Sequence, residues 1–209
     1  MKTAVEELLA RHPQRLWRAE AGNPGRQKHL QDPGHSEVRD LLGGWPRGAI
    51  TEIHSQVEGI GELRLLLPTI AALSQQEKRW ILWCLPPYIP YAPALAAAGV
   101  RLDRMLIIHP RQRQDQLWTL ESALRSGTCS AVLAWPPALE EAAQRRLQLA
   151  AETGNSMGFF FYRDVVSQRS PAALRLRLQP AGEHTRVQVE KRRGATAPAA
   201  ANLELPLAI

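Results

Sequence analysis

The chain has 209 residues and a net charge of +6, with 44% hydrophobic and 22% charged residues, which is ordinary for one soluble globular domain with appendages. Its two cysteines, Cys84 and Cys129, lie in apolar runs without a CxxC spacing, so neither a zinc site nor a disulfide framework is indicated. No stretch reaches the length of a transmembrane span and the N-terminus lacks a signal-peptide apolar block, so no membrane association and a cytoplasmic location are expected.

In chain order, Thr3 and Glu6 form a capping box, and Val5, Leu8 and Leu9 make one apolar stripe. These residues predict an N-terminal helix over 1–20, bent or restarted at Pro13. Its apolar face, with Leu16 and Trp17, either docks on another subunit or folds back on its own core. Residues 21–35 are rich in Gly, Pro and polar groups and read as a linker. A short helix then begins at Ser36 and stops at Gly43 and Gly44. From Ala49 onward, apolar runs at 50–54, 79–85, 104–110, 130–136 and 156–162 alternate with helical stretches at 62–76, 93–98, 112–125 and 137–153. Runs apolar on both faces, separated by helices, predict an α/β fold with a mostly parallel central sheet flanked by helices. Two alternating strands follow, 173–180 and 185–191, as a terminal antiparallel hairpin. In it Leu174, Leu176 and Leu178 face the core, and Arg175 and Arg177 face water. Residues 194–209 predict an irregular tail.

The segment ITEIHSQVEGIGELRLLL, residues 50–67, has the order strand, glycine loop, helix. A working P-loop, G-x-x-x-x-G-K-[ST], uses its lysine against phosphate charge and its hydroxyl to hold magnesium. Here the positions after Gly61 are Glu62 and Leu63. A carboxylate repels a triphosphate and leucine cannot ligate a metal. Gly59 and Gly61 then serve a tight turn in preference to residual anion binding. Pro68 kinks the following helix or shifts its start.

The blocks LLGGWPRGAITEI, AAAGVRLDRMLIIHP, ALRSGTCSAVLAWP and RRLQLAAETGNSMGFFFY resemble successive pieces of the RecA core, over residues 36–193. More narrowly, GGWPRGAITEI, GELRLLLP, PPYIPYAPALAAAG and ALRSGTCSAVLAWP resemble the ImuA proteins, RecA-like accessory factors of SOS-induced translesion synthesis. The SulA division inhibitors share the LLLP and second-strand features but are shorter. Carried over position by position, the RecA resemblance puts the phosphate lysine at Glu62 and the magnesium hydroxyl at Leu63. It puts the general-base glutamate near Pro87, the Walker B aspartate at Trp135 and the γ-phosphate sensor at Arg163. The resemblance therefore implies a protein that is not an enzyme and takes no cofactor, with no metal site. Its implied partners are an ImuB-like Y-family polymerase homologue, an error-prone polymerase through it, and RecA. SulA-type binding of FtsZ, the tubulin-like division protein, stands as the alternative.

Other features have plainer readings. Most of the 26 basic residues are arginine, which suits nucleic acid or an acidic partner but also follows from GC-rich coding. The connections 136–140 and 164–170 are too short to track DNA, leaving weak nonspecific attraction. Trp80, Trp83 and Trp135 are expected to pack in the core, as is the run Phe159–Phe161. In the tail, Leu205 and Leu207 loosely resemble a sliding-clamp peptide; packing on the core or binding ImuB are the competing readings.

Overall fold

The computed structural model describes residues 30–163, 170–182 and 184–193, and residues 203–206 as backbone. The chain divides into two compact units, Met1–Leu30 and Gln31–Ile209, and the described fold is that of the second. The predicted N-terminal helix therefore lies outside the described residues.

The first helix, α1 (Ser36–Leu42), ends where Gly43 turns left-handed at φ 67°, its N–H bonding Arg39 O. The elements that follow are β1 (Ala49–Ser55), α2 (Leu67–Gln76), β2 (Trp80–Cys84) and α3 (Ala92–Ala97). After a 3₁₀ turn at Leu102–Arg104 come β3 (Met105–Ile108), α4 (Arg113–Arg125), β4 (Cys129–Ala134), α5 (Glu141–Gly154) and β5 (Met157–Tyr162). The last elements are β6 (Leu174–Ala181), β7 (His184–Arg192) and β8 (Leu203–Pro206). These eight strands form one sheet in the order β8-β7-β6-β1-β5-β4-β2-β3, and two two-residue strands, Leu30–Gln31 and Trp45–Pro46, pair separately. The six strands from β6 to β3 run parallel, and β7 and β8 are antiparallel additions.

Both faces of the central strands are covered, which is why β1, β4 and β5 read as unbroken apolar runs. One face carries Ile53, Trp83, Leu133 and Phe159 against Val38 and Leu42 of α1, Ile70 and Leu73 of α2 and Leu95 of α3. The other carries Ile50, Leu82, Val132 and Phe160 against Leu120 and Leu124 of α4 and Leu147 and Ala151 of α5. Trp45 meets Phe159 edge to face, with centroids 5.5 Å apart. Cys84 and Cys129 are buried free thiols, and burial raises that of Cys84 to about 11.

The structure departs from the sequence pattern in four places. The helix expected from Glu62 starts only at Leu67, because Pro68 has no N–H to donate and occupies the first turn. The run at 104–110 is a strand, but as the outermost one it leaves Leu106, Ile107 and Ile108 exposed. Arg175 does not face water: β6 pairs with β1 in a register that sets it opposite Glu52, and it is 4% exposed. Within the tail expected to be irregular, Leu203–Pro206 pairs with β7, with Leu205 opposite Thr185. Leu207 lies outside the described residues.

Among the described residues, no helix is long and apolar enough to cross a membrane.

Candidate functional site

The strands β1, β4 and β5 end side by side, and the loop after β1 folds over their carboxyl ends. Gly59 and Gly61 both have positive φ, 75° and 96°, which lets the backbone double back between Ser55 and Leu63. The Gly59 N–H donates to Glu62 Oε1 at 3.0 Å. A loop of this kind offers backbone donors to an anion; here one of them goes to a carboxylate from the loop itself. Leu63 turns onto the core of α1 and α2, and its carbonyl accepts from Leu66 and Leu67 N–H. The first turn of α2 is thus displaced along the chain from the glycines, so its N-terminal dipole does not abut them. Thr185 on β7 pins the loop from the side by donating to Ile60 O.

Glu62, Pro87, Trp135 and Arg163 lie along the ends of these strands. They line adjoining clefts that share Glu58, Trp135, Phe161, Tyr162 and Arg163, the larger with a volume of about 350 Å³. The floor is aromatic: Trp135 stacks on Phe161 with centroids 4.5 Å apart and planes 8° from parallel, and Trp83 lies 5.6 Å away. Trp135 is tied to the neighbouring strand by its N–H to Cys84 O, 3.2 Å. No carboxylate stands where a metal-holding aspartate would, and the described residues contain no cluster that could hold a metal.

Glu58, which the sequence reading passed over, organises the rim. Its carboxylate accepts from Arg163 Nε at 2.8 Å and from Tyr88 Oη at 2.9 Å. These bonds, Arg163 first, hold its carboxyl below the usual range, and Glu58 in turn raises the Tyr88 phenol. Tyr88 belongs to the stretch Pro86-Pro87-Tyr88-Ile89-Pro90-Tyr91, which leaves β2 through Leu85 at φ 57°, a left-handed conformation costly for leucine. Tyr88, Ile89 and Tyr91 are exposed, Ile89 by 90%. Three prolines in six residues narrow the backbone freedom of the segment, so these apolar side chains stand in a preorganised array. No local signal distinguishes Glu58 from other loop acids. The proline spacing was legible, but its exposure was not.

On the face of β1 that carries Ile50 lies a buried polar cluster. Glu52 is 2% exposed and accepts from Arg175 Nε at 2.8 Å and from Ser170 Oγ. His54 Nε2 lies 3.5 Å from the same carboxylate, and Lys191 Nζ donates to Ser170 O. Burial raises the Glu52 carboxyl, but the bonds from His54, Ser170 and Arg175 outweigh it and the net shift is downward. His54 is itself 2% exposed. The candidate positions Val5, Leu8, Leu9, Leu16 and Trp17 lie outside the described residues.

The architecture defines an α/β sheet protein whose glycine loop is closed by its own glutamate and whose strand-end cleft is aromatic. The sequence family described as "Cell division inhibitor SulA" matches residues 48–158, a little over half of the chain. This chain belongs to the SulA family.

Relatives carry the same description. The cell division inhibitor SulA of Serratia marcescens is 33% identical over 116 residues, covering 56% of this chain and 68% of that protein. Those of Edwardsiella piscicida and Pectobacterium carotovorum are 35% and 36% identical over 96 and 113 residues, covering 46% and 54% of this chain and 57% and 67% of theirs. The matched region thus spans between just over half and two thirds of these relatives. A crystal structure of SulA from Pseudomonas aeruginosa aligns at 26% identity and a TM-score of 0.46, covering 54% of this chain and 95% of that one.

Family membership overturns the ImuA reading and the partners it implied, the ImuB-like protein, the error-prone polymerase and RecA. The motifs that suggested ImuA are strand and helix segments that carry the fold.

Proposed function

We propose that this protein is a non-catalytic inhibitor of cell division that binds the tubulin-like protein FtsZ in the cytoplasm, within the SOS response. The observation that carries this reading is the SulA-family match over 48–158, which takes in every element from β1 into β5 and with them Glu58, Glu62, Pro87 and Trp135 of the strand-end cleft. A RecA-like origin of the core belongs to the same proposal. It is supported by a parallel sheet with the glycine loop on its central strand β1 and by the convergence of Glu62, Pro87, Trp135 and Arg163 at the strand ends. The loop has kept its turn and given its donor to Glu62, so inhibition by stoichiometric binding needs no nucleotide.

The exposed array Tyr88, Ile89 and Tyr91 is the contact surface this reading favours, because rigid tyrosine and isoleucine side chains bury large apolar area at small entropic cost. Expression of the protein in a rod-shaped bacterium is expected to give filaments of undivided cells. The triple change Tyr88→Ala, Ile89→Ala, Tyr91→Ala is expected to restore division with the protein present at parental levels. Normal division on expression of the parent protein at high level would refute the proposal.

A further inference from the structure

A second pocket opens at the carboxyl end of β1, on the side of β6. The register fixes what stands there. β1 lies between β5 and β6, with His54 opposite Tyr162 on one strand and opposite Arg177 on the other. Arg163 follows Tyr162 at the end of β5. Strand spacing therefore sets Arg163 and Arg177 about 10 Å apart at the backbone, one on each side of the buried His54. All three line a pocket with a volume of about 300 Å³.

Each guanidinium is held along one edge and open along the other. Arg177 Nε donates to Glu190, and among the described residues its Nη1 and Nη2 meet no acceptor. Its side chain is only 24% exposed, so these donors are largely shielded from bulk water. Arg163 engages Glu58 through Nε and Nη2, which leaves Nη1. Arginine carries five N–H donors in a fixed fork, so one carboxylate on the Nε side leaves donors for another. Neither Glu58 nor Glu190 belongs to the pocket wall, which among the described residues contains no carboxylate. The exposed Gln56 and Gln179 add amide donors, and Val57, Leu178 and Pro180 supply an apolar side.

Charge balance selects the ligand. With Glu58 and Glu190 counted, the two arginines hold no large positive excess, so a divalent phosphate is poorly compensated. A single carboxylate offers one oxygen to each guanidinium and is matched. The adjoining glycine loop gives a phosphate little help, because the Gly59 N–H already goes to Glu62. The apolar side suits the methylene stem of a glutamate. At longer range the net charge of +6 draws in an acidic segment.

We infer that this pocket is a docking site for an acidic peptide segment of a partner, with a glutamate carboxylate seated between Arg163 and Arg177. The inference goes beyond the inhibitor reading and needs neither FtsZ nor the array at Tyr88, Ile89 and Tyr91.

The test is fluorescence polarisation of a labelled, acetylated pentaglutamate peptide titrated with the full-length protein. Saturable one-to-one binding is expected. Arg163→Gln, at a side chain 68% exposed, and Arg177→Gln are each expected to weaken it about tenfold. Arg125→Gln, which removes the same charge from the surface of α4, is expected to change it by less than about twofold. The double variant Arg177→Gln, Glu190→Gln keeps the net charge of the parent. It is expected to retain the parent's circular dichroism spectrum and still to bind the peptide as weakly as Arg177→Gln. Unsaturable binding, equal losses at Arg125 and at the two pocket arginines, or a double variant that binds like the parent overturns the inference. So does inorganic phosphate displacing the peptide at lower concentration than glutarate, because the pocket would then belong to a phosphate ligand.

Discussion

Replacing Glu52 with alanine is expected to destabilise the protein by about 3–5 kcal/mol, a large part of the roughly 5–15 kcal/mol that holds a domain together. Glu52 sits in the central strand β1 with Arg175 directly across from it on β6, both inaccessible to water. The truncation takes away the carboxylate that faces a buried guanidinium and leaves the Ser170 hydroxyl without its acceptor. In a chain of this length the melting temperature should fall by about 10 °C. The double variant Glu52→Leu, Arg175→Met removes both charges together and should recover most of the loss. The pH dependence has a defined sign. The folded-state pKa of Glu52 is lowered, so its contribution is complete above the unfolded carboxyl value and is lost as pH falls through the folded one. Urea unfolding along an acid series should show that limb in the parent and a flatter one in Glu52→Ala. Equal midpoints for parent and variant at neutral pH would show that the pair does not stabilise the fold.

Gly154→Ala should rank second. At the end of α5 an added methyl would lie 2.0 Å from Leu124 O and 2.9 Å from Arg125 C and O, all backbone atoms of α4 that cannot swing aside. The two helices must separate, at a cost of about 1–3 kcal/mol, and Arg79, which donates to Gly154 O at 2.8 Å, loses its alignment. Gly182→Ala is the matched control. Its φ is 62° but nothing stands within 4 Å of the added carbon, so only the conformational cost of about 1–2 kcal/mol applies. Urea midpoints separate the two; a Gly154→Ala midpoint no lower than the parent's would mean that the helices tolerate the wider spacing.

The limits of the sequence reading have physical causes. The strands were legible because burial on both faces leaves unbroken apolar runs, as in Phe159-Phe160-Phe161. The late start of α2 was legible in Pro68. The exposure of β3 was not, since Leu106-Ile107-Ile108 has the composition of a central strand and only the strand order puts it at the edge. Nor was the burial of Arg175 legible, because alternation identifies two faces of a hairpin without saying what β1 sets against them. At the candidate site, the departures at Glu62, Leu63, Pro87, Trp135 and Arg163 could be read one at a time. The bond by which Glu62 occupies Gly59, and the rim built on Glu58, exist only once the loop is folded. The family was misread because blocks such as GGWPRGAITEI and ALRSGTCSAVLAWP record the sheet and its connections, not the surface that decides the partner.

The central claim is inhibition of division by binding, without nucleotide chemistry. Its most direct test is light scattering of purified FtsZ assembling with GTP while this protein is titrated in. The account predicts that assembly is suppressed at near-equimolar protein, that added ATP or ADP changes nothing, and that the triple change at Tyr88, Ile89 and Tyr91 abolishes the effect. Unaltered FtsZ assembly in the presence of excess folded protein would contradict it.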